Sequence, residues 1–153
     1  MTHEIRVLVA SEEFCSRLSE AGPEVQPEPA TSGWWIVPLT PECARALSGA
    51  SLSVPDLEDP TDRELLSQAV APLVASLTSL RLTGGVAGLF TQYFGGSGDQ
   101  ASFAVRDGVV VVEPVVGPGS INAALQAIGV AADGEQDEFD TIGLHRWRMM
   151  DHF

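Results

Sequence analysis

Gln100-Ala101-Ser102-Phe103-Ala104-Val105-Arg106-Asp107-Gly108-Val109-Val110-Val111-Val112-Glu113 is the stretch that decides how this chain is built. Two strand-like runs flank an Asp-Gly pair, and such a pair forms a type I′ turn because both central residues must take positive φ. Setting the turn sets the register, so Arg106 is expected opposite Val109. Side chains then alternate across the hairpin. Phe103, Val105, Val110 and Val112 fall on one face, and Ser102, Ala104, Arg106, Val111 and Glu113 on the other. The first face is expected to pack on the core. The second is mixed enough to be partly open to solvent or to a partner.

Working outward, residues 86–94 read as a strand that precedes the hairpin, joined to it by a loop of Gly95, Gly96, Ser97, Gly98 and Asp99. With strands over 100–106 and 109–115 this makes a three-stranded meander. Pro114, Gly117 and Pro118 end it, Ser120 is placed to cap a helix over 121–128, and Gly129-Val130 suits a Schellman ending. Upstream, Leu65, Leu66, Ala69, Val70, Leu73, Val74, Leu77 and Leu80 recur at helical spacing behind a Thr61-x-x-Glu64 capping box, with Pro72 inside. Two heptads are too few for a zipper, so the leucine stripe is expected in the core.

The first half alternates strand and helix. Residues 5–10 are rich in β-branched side chains, and Ser11 offers an N-cap before Glu12 and Glu13. Phe14, Cys15, Leu18 and Ala21 share a helix face, and Gly22-Pro23 stops it. An acidic connector holding Pro23, Glu24, Pro27, Glu28 and Pro29 leads to a strand over 34–39. The next helix is the best marked, with Thr40 as N-cap, Pro41 at the first helical position and Gly49 at the end. A loop over 51–60, with Pro55 and Pro60, follows. The predicted order is β-α-β-α-α-β-β-β-α, a single α+β domain over 1–153 with a mainly antiparallel sheet and the late meander packed against helices.

Length suits one domain, and hydrophobic residues at 44% suffice for a core. No apolar run approaches the roughly 18 residues needed to span a bilayer. The first residues carry His3 and Glu4 where a secretory signal needs a basic patch, so a cytoplasmic location is expected. Cys15 and Cys43 match no zinc or redox spacing and are expected as reduced, packed thiols. Acidic residues number 21 against 8 basic ones, all arginine, for a formal net charge of -13. A phosphate backbone would be repelled, which argues against nucleic acid, whereas a basic polypeptide would be steered in. Acidity also serves solubility alone.

Gly95-Gly96-Ser97-Gly98 joins two strands, whereas phosphate-binding loops run from a strand into a helix. Ser97 sits on no nucleophile elbow, and nothing places His145 and Asp99 beside it. Asp133, Glu135, Asp137, Glu138 and Asp140 fail the calcium-loop pattern, because Glu138 stands where glycine is required and Leu144 where the closing acid belongs. That run reads as a solvated loop or as a contact patch for a basic partner. His145, Asp151 and His152 lack a ligand spacing, and no metal or other cofactor is expected. His145-Arg146-Trp147-Arg148 combines an aromatic anchor with guanidinium groups, types enriched at interface hot spots. Packing of Trp147, with the arginines neutralising the acid run, is the alternative.

Several segments of the C-terminal half form a set: Tyr93-Phe94-Gly95-Gly96-x-Gly98-x-Gln100, Asp107-Gly108, Ile121-Asn122-x-Ala124-Leu125-x-x-x-Gly129-Val130, and Asp137-Glu138-Phe139-Asp140-x-x-Gly143-Leu144-x-Arg146. Together they resemble small bacterial immunity proteins of polymorphic toxin systems. The likeness covers about half the chain and departs at Trp147, where a histidine would follow the arginine. It implies a non-catalytic protein that neutralises a cognate toxin domain.

With the charge, this leads to the expectation of an immunity-type protein that binds a basic toxin domain. Its expected contacts are Asp137, Glu138, Asp140, Arg146, Trp147, Gly95, Gly96, Ser97, Gly98 and Asp99. A regulatory or adaptor module of a secretion or defence complex is the alternative. A small hydrolase or metal-dependent enzyme built on Asp99, His145, Asp151 and His152 is the third.

Overall fold

The Asp-Gly turn forms as its residues require. Asp107 has φ 53 and Gly108 φ 79, and Arg106 pairs with Val109. The computed structural model describes residues 2–30, 33–50, 52, 62–94, 97–117 and 119–130. Its elements run β1 (Thr2–Ala10), α1 (Glu12–Ser19), β2 (Glu28–Pro29), β3 (Trp35–Pro38), α2 (Pro41–Ser48), α3 (Asp62–Ser79), β4 (Gly85–Phe94), β5 (Ser97–Arg106), β6 (Val109–Val116) and α4 (Ser120–Ala127). This is the expected α+β order with one addition, the two-residue β2 inside the acidic connector. The described strands form one antiparallel sheet in the order β2-β3-β1-β4-β5-β6.

Local signals explain most element ends. Ser11 Oγ accepts from the Phe14 amide at 3.4 Å and Thr40 Oγ1 from the Cys43 amide at 3.2 Å. Gly49 closes α2 with φ 76, its N–H donating to the Arg45 carbonyl at 2.7 Å. After α4, the Gly129 amide donates to Gln126 O at 3.0 Å and the Val130 amide to Leu125 O at 2.9 Å, the two bonds of a Schellman ending. The Asp107 side chain accepts from the Gly84 amide at 2.9 Å, so the hairpin turn is tied to the corner between α3 and β4. Thr61, half of the expected capping box, lies outside the described residues.

The sheet is covered on both faces. Leu8, Ala10, Val37, Val86, Phe90, Phe103 and Val105 pack with Phe14, Cys15 and Leu18 of α1, Cys43 of α2, and Leu66, Val70, Leu73 and Leu77 of α3. The other face, through Val7, Val9, Ile36, Ala87, Leu89 and Ala104, packs on Ile121, Ala124 and Leu125 of α4 and on Ile128 just after it. Apolar side chains on both faces of the central strands require two coverings, since an exposed face would forfeit about 25 cal/mol for each Å² left wet.

One expectation holds in part and three are corrected. The mixed hairpin face is open only in part: Arg106, Val111 and Glu113 are exposed, whereas Ser102 and Ala104 are fully buried under α4, with Ser102 Oγ donating to Ser120 O at 2.7 Å. Val112 does not share a face with Phe103 and Val105. The register sum steps by one between Val105↔Val110 and Ala104↔Val112, and again before Ser102↔Val115, so β6 carries two extra residues. Each bulge turns the following side chain over, and Val112 therefore packs with the α4 cluster. Ser120 is not a cap but the first helical residue. Gly119, at φ 78, holds the cap position, and the Ile121 amide donates instead to Gln100 Oε1 of β5 at 3.4 Å. In the helices, Leu65 is 52% exposed and Ala21 lies beyond the end of α1, so neither joins the core its spacing suggested.

Candidate functional site

At the β2 margin of the sheet the acidic connector folds back along β3. Val25, buried between exposed Glu24 and Gln26, pins the connector to the core, and its amide donates to Gly22 O at 3.2 Å. Pairing of Glu28 with Ile36 and of Pro29 with Trp35 then lays the connector beside β3. Past Pro38, the Leu39 amide donates to Arg6 O at 2.8 Å, which turns the chain into the Thr40 cap and the start of α2.

These turns enclose an open groove of about 390 Å³ lined by Pro23, Glu24, Gln26, Glu28, Pro38, Thr40 and Glu42. Three acidic residues thus border it, Glu24 from the connector, Glu28 from β2 and Glu42 from the first turn of α2. Glu42 is held there for a local reason as well, because a negative charge at a helix start meets the positive end of the dipole. Their shared sign makes the groove a place where a guanidinium or ammonium group gains and an anion loses.

Behind the groove lies Cys43, fully buried. Burial pushes its thiol up to about 11, and the negative charge of Glu24 adds to the rise. Cys15 is likewise raised, by burial first and by Glu12 in addition, against an opposing hydrogen bond from Ser19. A thiol held protonated at neutral pH is a poor nucleophile and a poor metal ligand, so both behave as packed apolar groups. Among the described residues no cluster of three or more His, Cys, Asp or Glu could hold a metal ion. No described helix is long and apolar enough to cross a membrane.

The residues expected from sequence fall differently. Asp137, Glu138, Asp140, Arg146, Trp147, Gly95 and Gly96 lie outside the described residues, as do His145, Arg148, Asp151 and His152. Ser97, Gly98 and Asp99 were expected in a loop and are instead the first residues of β5. They pair with Phe94, Tyr93 and Gln92. Extending the ladder to Ser97 gives these backbone amides and carbonyls partners that a loop would leave to water. They do not meet the groove, for β1 and β4 stand between β3 and β5. The groove itself was missed. Its signal was the acidic, proline-punctuated connector, but only pairing of β2 with β3 brings Glu28 toward Glu42. Comparison with family models, curated proteins and solved structures finds no match to this chain.

Proposed function

We propose that the protein is a non-catalytic binding protein of immunity type, which neutralises a basic toxin domain by covering its active surface. The observation that carries this reading is the groove lined by Glu24, Glu28 and Glu42, on a chain of net charge -13. A field of that sign speeds encounter with a basic partner by about 10- to 1,000-fold at low ionic strength. Slow release would come from the contacts predicted at Asp137, Glu138, Asp140, Arg146 and Trp147, because a desolvated aromatic and paired charges govern dissociation. The raised, buried Cys15 and Cys43 thiols argue against thiol nucleophilicity at these two residues.

The test is co-expression with the toxin candidate encoded beside the gene, together with capture of that toxin by the purified protein. Protection of the cells and a stoichiometric complex are expected. Failure of both, or turnover of a small molecule that disappears when one histidine is replaced, would overturn the proposal.

A further inference from the structure

We draw no further inference here: the strongest candidate, the outer rim of β6 where Val109 and Val111 stand 60% and 46% exposed, is bulged twice against its neighbour and nothing in the structure shows what covers it.

Discussion

Gly88 of β4 lies directly opposite Phe103 of β5, and the Phe103 ring fills the space that a side chain at position 88 would need. A Cβ placed there would stand 2.5 Å from Cζ and 2.8 Å from Cδ1. Glycine inside a strand usually weakens it, but here its bareness lets a ring lie across the central ladder. The same ring packs against Phe90, with centroids 6.3 Å apart and planes tilted by 38°.

Gly88→Ala is therefore expected to destabilise the protein by about 1–3 kcal/mol, the range for overpacking a filled core. The midpoint of urea unfolding should fall with its slope unchanged. An unchanged midpoint would mean that Phe103 moves aside freely.

Thr40→Ala removes the side chain that accepts from the Cys43 amide. A loss of about 1 kcal/mol is expected, and Thr40→Ser should recover most of it, since serine caps as well as threonine. Equal losses for both variants would point to packing of the threonine methyl, not to capping.

Cys43 gives stability a pH dependence with a definite sign. Its folded pKa, about 11, lies above the ordinary 9.0, so between these values the unfolded chain has lost a proton that the folded chain keeps. Fewer protons on the unfolded state make stability fall as pH rises. The contribution is complete below about pH 9 and is lost progressively toward pH 11. Unfolding measured from pH 8 upward should show a steeper decline for the parent than for Cys43→Ala. Parallel curves for the two proteins would count against a buried, protonated thiol.

Replacing Glu24, Glu28 and Glu42 together by glutamine tests the groove against the captured partner. Association should slow about tenfold at low salt and depend less on salt, because steering is a screened, long-range effect. Should only the dissociation rate change, the groove would be a site of close contact and not of attraction.

The features that were legible in the sequence are those set by residues close together in the chain. Asp107-Gly108 can satisfy its φ requirement in few ways, Thr40-Pro41 and Gly49 bracket a helix by local hydrogen bonds, and Gly129-Val130 closes another. What escaped depends on partners far away. The two extra residues of β6 have no signature apart from Pro114, so the face of Val112 was misassigned. Ser102 looked like a solvent-facing residue because its hydrogen bond to Ser120 O, 18 positions on, cannot be inferred before α4 is placed. The groove stayed hidden for the same reason: Glu24 and Glu28 come to line one groove with Glu42 only after β2 has found β3. Of the sequence-predicted contacts, Asp137 to Trp147 fall beyond the described residues, and Ser97 to Asp99 belong to a strand.

The two margins of the described sheet have a consequence for solution behaviour. Val109 to Val112 is a run of four valines, the kind of tract that stacks into fibrils when it is straight and available. A bulge at Val111 and a second across Glu113-Pro114 deny an incoming chain a straight template, while the opposite margin is two residues long and ends in Pro29. Were the β5–β6 hairpin to open before the rest of the molecule, that tract would be free to straighten. Resistance to clumping in concentrated samples should therefore track the integrity of this one corner, not the global melting temperature.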